Sequence, residues 1–380
     1  MKSSLRNYDF LNKVPSCFEK RNTKLEVCLP LFDTCNLNCR FCYEKHGHVQ
    51  LKRDAFLKAL EDIERFILPR IKECDYKDMD LRFYGGELFY DAQPDWMFSA
   101  YENLIDATRK MIPIPIHTKF ITNGVFTKQD RVIELINKTS SHIGMSYDAV
   151  GRYHNEQEKS MFLKNMHTFI DMGVLNEIAS ILMKPCIDAY IAGDMVFDSI
   201  PQNIRIDTDF YIPTPTWKTF MSTSEDYYRF FEWGIKNQRF NIDYIEMLVV
   251  FMIQEERKTL PKVCSCSDTL TYIPDQRIFS GECIECREFS KKYYGDFAAQ
   301  VNESNSFAVK TNMMLKKCGC MYCEYFKDCP MQCAASILFD EYEQIVCPMK
   351  KAFQCITQQD IENYKTWRDT YRGQDAKKRA

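Results

Sequence analysis

The sequence offers no stretch apolar enough to cross a bilayer. The longest apolar run, around Tyr244 to Ile253, is interrupted by Glu246 and falls well short of the ~20 residues a spanning helix needs. The N-terminal residues MKSSLRNYDFLNK lack the apolar core of a secretory signal. Charge of one sign is also scarce: the formal net charge is −3, so there is no general electrostatic pull toward nucleic acid or an anionic membrane. There is no low-complexity tract and no internal repeat beyond a strand–helix rhythm. These absences point to a cytoplasmic globular protein with neither a nucleic-acid nor a membrane partner.

What the chain does have is cysteine. Its 380 residues, 45% hydrophobic and 27% charged, suffice for one large domain and a smaller one. Eighteen cysteines without a secretory signal are not a disulfide framework, because the cytosol keeps thiols reduced, and metal or cluster ligation is the better reading. Their distribution agrees: three lie at 35–42 and eleven between 264 and 355. Cys17, Cys28, Cys74 and Cys186 are scattered and read as small buried apolar side chains.

The first group occupies Asp33-Thr-Cys-Asn-Leu-Asn-Cys-Arg-Phe-Cys-Tyr43, with Cys35, Cys39 and Cys42 spaced Cys-x3-Cys-x2-Cys and no fourth cysteine close by. Three thiolates on one short loop can hold three irons of a [4Fe–4S] cluster and leave the fourth open to a small molecule. A zinc site completed by His46 is the competing reading. It leaves the apolar strand before the loop and the strand–helix units after it unexplained.

From Leu25 to about Pro213 the pattern alternates strand and helix. Strands are expected at Leu25–Phe32, Leu81–Tyr84, Thr118–Thr122, Ile143–Tyr147, Glu177–Met183 and Ile204–Ile212. Helices are expected at Arg53–Lys72, Trp96–Met111, Asp130–Ile136 and Ser160–Met172. Six strands in this rhythm predict an α/β fold, a partial (β/α)6 barrel with function at the C-terminal strand ends. The special residues do follow strand ends: the cysteine loop, Gly85-Gly86-Glu87, Thr122-Asn123-Gly124 and Ser146-Tyr-Asp148. The expected organisation is an N-terminal extension (1–24), the barrel (25–215), a helical bridge (216–260, with helices near 223–237 and 242–257), a small cysteine-rich iron–sulfur domain (261–355), and a C-terminal helix and tail (356–380). In the last segment Asp360–Arg372 reads as a helix and GQDAKKRA as a frayed tail.

With Cys35, Cys39, Phe41 and Cys42 followed by Gly85-Gly86-Glu87 at the next strand end, the stretch from about Leu25 to Ile212 resembles the radical S-adenosylmethionine (radical SAM) enzymes. The resemblance implies that S-adenosylmethionine binds the open iron and is cleaved reductively, giving a 5′-deoxyadenosyl radical that takes hydrogen from a substrate. It implies that Gly85, Gly86 and Glu87 seat the methionyl amine, and that Thr122, Asn123 and Ser146 lie near the cofactor. Turn and capping roles compete for Asn123-Gly124, Ser146 and Asp148. Cys266, Gly281, Cys286 and the run Cys320-x2-Cys323-x5-Cys329-x3-Cys333, then Cys347, resemble the SPASM extension of radical SAM enzymes that mostly modify peptides and proteins. By that likeness Cys320, Cys323, Cys329 and Cys347 hold an outer auxiliary cluster. Cys266, Cys286 and Cys333 hold an inner one, whose fourth iron is ligated by Cys264 or Cys283 or is left open.

The expected function is hydrogen abstraction from a peptide or protein side chain, ending in oxidation or cross-linking. The expected cofactors are three [4Fe–4S] clusters and S-adenosylmethionine. The expected partners are the peptide, an external flavodoxin- or ferredoxin-type electron donor, and a separate leader-peptide-binding protein, since only about 24 residues precede the first strand. Anaerobic sulfatase maturases resemble the chain in cysteine order but carry Asp where Arg287 stands. The arginine often found after the fourth strand is not obvious; Arg152 is early, and Lys159 is a substitute. His46, His48 and His154 read as surface residues, and Asp207 and Asp209 as salt-bridge or turn residues with a proton acceptor as the rival role. The alternatives are a small-molecule substrate, or a non-catalytic zinc or iron–sulfur module.

Overall fold

The computed structural model describes residues 24–42, 49–210, 220–257, 269–280, 318–325, 329 and 345–379. Six strands alternate with helices: β1 (Lys24–Pro30), β2 (Asp78–Tyr84), β3 (Ile116–Thr122), β4 (His142–Ser146), β5 (Leu175–Leu182) and β6 (Arg205–Phe210). All neighbouring pairs among them are parallel, in the order β6-β5-β4-β3-β2-β1. Parallel neighbours need crossovers, here supplied by α1 (Arg53–Asp62), α2 (Leu68–Glu73), α3 (Trp96–Met111), α4 (Gln129–Thr139), α5 (Glu156–Asp171), α6 (Lys184–Ala192) and α7 (Met195–Ser199). The expected α/β partial barrel is the observed fold.

Strand alternation sorts the side chains. In β2, Met79, Leu81 and Phe83 are fully buried. Phe83 stacks on Phe120 at 4.9 Å and meets Tyr101 of α3 edge-on at 5.0 Å. The alternate positions are charged and pair across strands: Lys24 with Asp80 (2.8 Å), Arg82 with Glu26 (2.8 Å) and Lys119 with Glu177 (2.6 Å). Lys119 and Glu177 lie on β3 and β5 and reach each other across β4 at Gly144. A Cβ there would stand 2.7 Å from Ile121 Cδ1 and 3.0 Å from Glu177 Oε1.

Four details depart from the sequence reading. The helix expected over Arg53–Lys72 is broken by a π-turn, Ile63–Ile67, in which Leu68 N–H bonds Ile63 O. Pro69 follows directly and has no N–H to give, so the wide turn falls where the ladder loses a donor anyway. Helices α6 and α7 were not expected. Third, residues 269–280 of the cysteine-rich segment join the sheet: β7 (Thr269–Ile273) pairs in parallel with β1, and β8 (Ile278–Ser280) pairs antiparallel with β7. Finally, the C-terminal helix runs Gln358–Arg379, through the stretch expected to fray. Its residues are mostly good helix formers with no proline, and one glycine costs only about 1 kcal/mol.

Helices α8 (Ser224–Lys236) and α9 (Asp243–Met252) occupy the expected bridge, and α10 (Pro348–Cys355) and the terminal helix α11 pack on them. Thr223 and Asp226 form a reciprocal capping box at the start of α8. Among the described residues no helix is long and apolar enough to cross a membrane.

Two carboxylates, the buried Asp62 and the half-buried Asp243, gather donors from other elements of the fold. Asp62, 1% exposed, accepts from Tyr272 Oη (2.8 Å) and from Arg277 Nε (2.9 Å), fastening the β7–β8 hairpin to α1. Asp62→Ala leaves the buried Tyr272 hydroxyl without an acceptor and should cost about 2 kcal/mol, read as a lower urea midpoint. Asp243 accepts from Thr208 N (3.0 Å), Thr208 Oγ1 (2.5 Å) and Tyr244 N (2.8 Å). Burial, then the Asp207 carboxylate, push its carboxyl up to about 7. The unfolded carboxyl ionises near ~4, so between there and about 7 the folded state holds the extra proton and stability falls as pH rises. Urea unfolding at pH 5 and pH 8 should show a smaller fall for Asp243→Asn than for the parent.

Candidate active site

The cysteine loop leaves the C-terminal end of β1, anchored below by Leu31 and Phe32, both 1% exposed. Asp33 closes it: its N–H donates to Val49 O at 3.1 Å and its Oδ1 accepts from Val49 N at 2.9 Å. Within the loop Cys42 N–H donates to Cys39 O at 3.1 Å. Leu37 is buried and turns its N–H onto Cys35 Sγ at 3.4 Å. The Asn123 amide also donates toward Cys35 Sγ, at 3.7 Å. Cys39 Sγ lies 3.9 Å from Arg152 O.

Glycines 85 and 86 are pressed against this loop. A Cβ on Gly85, whose φ is 108°, would stand 2.5 Å from Phe32 O; one on Gly86 would come closer still to Thr34 O. Glu87 then donates its N–H to Thr34 O at 2.8 Å. Its side chain is fully buried. The carboxylate accepts from Phe89 N (3.0 Å), Thr122 Oγ1 (2.5 Å) and Asn123 N (2.6 Å). Burial pushes this carboxyl up to about 7 in spite of the three donors. Thr122 and Asn123 thus join Glu87 and Cys35 in one network. Asn123 Nδ2 also reaches Asn36 Oδ1 (2.9 Å), and Asn36 Nδ2 reaches Val125 O (2.6 Å). Asn36 was not singled out from sequence; a lone loop Asn carries no signal until its partner across 87 residues is known.

The fourth strand end is organised by Asp148. It is fully buried, and it accepts from Ile181 N (2.7 Å) and from Arg152 Nε (2.8 Å) with a second Arg152 nitrogen at 2.5 Å. The Arg152 guanidinium is thereby committed to Asp148, and it lies 5.5 Å over the Phe41 ring. Ser146 is partly exposed, and its carbonyl accepts from Tyr153 Oη at 3.2 Å. His154 touches the site: its Nε2 accepts from Asn38 N at 3.4 Å. Asp207, on β6, has Arg205 Nε at 2.5 Å, and Asp209 is exposed at the same strand. His46 and His48 lie outside the described residues.

Among the described residues no group of three or more His, Cys, Asp or Glu side chains converges on a single-ion position. The loop's donor set does fit an iron–sulfur cluster. Its sulfurs are soft and partly buried, and Cys35 Sγ is offered N–H donors by Leu37 and Asn123. Burial pushes the Cys35 thiol up to about 12 and raises Cys39 as well. Thiolates in so dry a place call for a positive centre, which the irons of a cluster provide.

At the other end of the chain, Cys320–Tyr322 form a single 3-10 turn with Cys323 N–H on Cys320 O at 2.9 Å, and Cys347 caps α10. Cys318, given no role by the sequence pattern, packs partly buried against the core. Cys329 is partly buried against the core, its N–H on Tyr325 O at 2.8 Å. Cys264, Cys266, Cys283, Cys286 and Cys333 lie outside the described residues.

No family model matches the chain. Over 139 residues it is 22% identical to the radical SAM cyclopropyl synthase TigE of Paramaledivibacter caminithermalis, a stretch that is 34% of this chain and 28% of that relative's length. Among solved structures, anSMEcpe with bound AdoMet and Cp18Cys peptide matches with a TM-score of 0.59 at 12% identity, over 94% of this chain and all of that one. Streptococcus suis SuiB matches with a TM-score of 0.51 at 16% identity, over 90% of this chain and 80% of that one. The structural likenesses show a shared fold, and the resemblance to radical SAM enzymes read from the cysteines is borne out.

Gly86→Ala should drive a Cβ into Thr34 O, an atom of the backbone that cannot swing away. An expected loss of about 1–3 kcal/mol should appear as a lower denaturant midpoint. Wild-type stability in this variant would show that the two strand ends are not packed as described.

Proposed function

We propose that this chain is a radical SAM enzyme acting on a peptide or protein side chain. The observation that carries the reading is the thiol trio Cys35, Cys39 and Cys42 at the end of β1, backed by Gly85-Gly86-Glu87 from the end of β2. The peptide substrate class is supported by two structures of similar fold: anSMEcpe holds AdoMet with a peptide, and SuiB is known bound to its precursor peptide SuiA.

The three cysteines would hold the catalytic cluster, which when bound supplies the electron that splits S-adenosylmethionine into methionine and a hydrogen-abstracting 5′-deoxyadenosyl radical. The chain's own residues bind and orient. Asn123 and the Leu37 N–H donate toward Cys35 and stabilise its thiolate. Glu87 fixes Thr122 and Asn123 beside the cysteine loop, and we assign it, with Gly85 and Gly86, the seat of the methionyl amine. Ser146, at the end of β4, is assigned to the cofactor as well. Arg152 holds Asp148 and lies against Phe41, so it shapes the loop and is not free to bind a cofactor carboxylate. Residues 261–355 would form the auxiliary-cluster domain. Cys320, Cys323, Cys329 and Cys347 would hold the outer cluster; Cys266, Cys286 and Cys333, with Cys264 or Cys283, would hold the inner one. An external one-electron donor is required, because S-adenosylmethionine cleavage consumes an electron. A separate leader-binding protein fits the same scheme.

The test is anaerobic incubation with dithionite and S-adenosylmethionine, followed by mass spectrometry for 5′-deoxyadenosine. The parent should form it, and Cys35→Ala/Cys39→Ala/Cys42→Ala should form none while losing one cluster's share of iron. Formation retained in the triple variant would refute the assignment. A candidate peptide encoded beside this chain should lose two mass units on cross-linking or desaturation.

A further inference from the structure

Asn36 stands in the cysteine loop between Cys35 and Leu37, and its side chain leaves the loop for the end of β3. Three residues close a ring there. Asn36 Nδ2 donates to Val125 O at 2.6 Å, Val125 N–H donates to Asn123 Oδ1 at 2.8 Å, and Asn123 Nδ2 donates to Asn36 Oδ1 at 2.9 Å. The main chain of Asn123 is held as well, its N–H on Glu87 Oε2 at 2.6 Å. Asn123 is 6% exposed and Val125 8%, so water has little access to replace either as a partner. The same Asn123 Nδ2 lies 3.7 Å from Cys35 Sγ, and the Leu37 N–H meets that sulfur at 3.4 Å.

A side-chain amide can be turned end for end with almost no change of shape, and its partners decide which end donates. Here the Val125 backbone decides. Turning Asn36 would set its oxygen against Val125 O and its nitrogen against the Asn123 nitrogen. Turning Asn123 would set its nitrogen against the Val125 N–H and its oxygen against Asn36 Oδ1, and would take the donor away from Cys35. The ring therefore permits one orientation of each amide. Asn123 Nδ2 carries two N–H groups; one goes to Asn36 Oδ1 and the second is available to Cys35 Sγ. Val125 N–H holds the oxygen end of the Asn123 amide, and Asn36 holds the donor end. Groups behind a metal ligand orient it and tune the metal. Hydrogen bonds to ligand sulfurs withdraw charge from an iron–sulfur core and favour its reduced, more negative state.

We propose that Asn36 is a positioning residue of the catalytic cluster: by closing the ring with Val125 and Asn123 it aims the Asn123 amide at Cys35 Sγ and holds the cluster's reduction potential up. This rests on the reading of Cys35, Cys39 and Cys42 as the catalytic ligands. A higher potential lets a weaker external donor supply the electron.

The experiment is an anaerobic redox titration of the full-length holoprotein, followed by electron paramagnetic resonance, with iron counted per chain. The catalytic signal is recognised by its change on adding S-adenosylmethionine. Asn36→Ala and Asn123→Ala should each keep the parent's iron and move that signal's midpoint to more negative potential, Asn36→Ala by no more than Asn123→Ala. Because Asn36 acts through Asn123, the double variant should move it no further than Asn123→Ala alone. Shifts that add in the double variant would overturn the proposal. So would an unmoved midpoint in Asn36→Ala, or loss of a cluster's iron from it. If Asn36→Ala does not fold, Asn36→Leu, close to asparagine in shape but with neither donor nor acceptor, must move the same midpoint the same way. A parent whose iron is not lowered by Cys35→Ala/Cys39→Ala/Cys42→Ala would overturn the ligand assignment itself, an outcome distinct from the others.

Discussion

The buried carboxylate of Glu87 is the constraint on which the site depends. A carboxylate with no exposure to water is costly unless donors surround it, and this one draws its donors from its own loop and from the end of β3. Because its N–H also holds Thr34 O, the loop after β1 and the ends of β2 and β3 are fixed relative to one another. Asp148 repeats the device on the far side, bonding Ile181 N beyond β4 and the Arg152 guanidinium. The cysteine loop is gripped from both flanks: Cys35 through Asn123, and Cys39 against the carbonyl of Arg152. The two groups that carry the site's geometry therefore act mostly through other residues.

Much of this was legible in the sequence, and the boundary of legibility is physical. The six strands were found because Leu25, Val27 and Leu29, or Met79, Leu81 and Phe83, mark one buried face in period two. The start of β2 was missed because Asp78 and Asp80 look like loop residues; they are strand residues on the charged face, and Asp80 is answered by Lys24. The helix α6 carries its own signals, Pro185 in the first turn and Gly193 at a φ of 94° after the last, and these went unread between two strong strands. The π-turn has only Pro69 to announce it. The β7–β8 hairpin could not be read at all, since what holds it is Asp62, 210 residues away from Tyr272.

The same limit applies to the site. Cys35, Cys39 and Cys42 are recognisable by spacing, because ligands on one loop must be close in sequence. Asn36 and Asp148 are not, because their roles exist only when separate strand ends meet. The charged face of the sheet belongs in this class. Arg82, Glu26, Lys119 and Glu177 look like surface residues one by one, yet they neutralise each other in pairs along one wall. Gly144 between two of them is what lets a lysine and a glutamate join hands over an intervening strand.

The attachment of β7 to β1 has a consequence for how the chain is put together. β1 delivers the cysteine loop, and its outer hydrogen-bonding edge is covered by a segment that the chain makes some 240 residues later. Until that segment arrives during synthesis, β1 presents an open row of amides and carbonyls, the kind of margin along which chains stick to one another. The segment carrying β7 is then also what closes the edge of β1, so a nascent or clipped chain lacking it is exposed to self-association at the strand that leads into the cysteine loop.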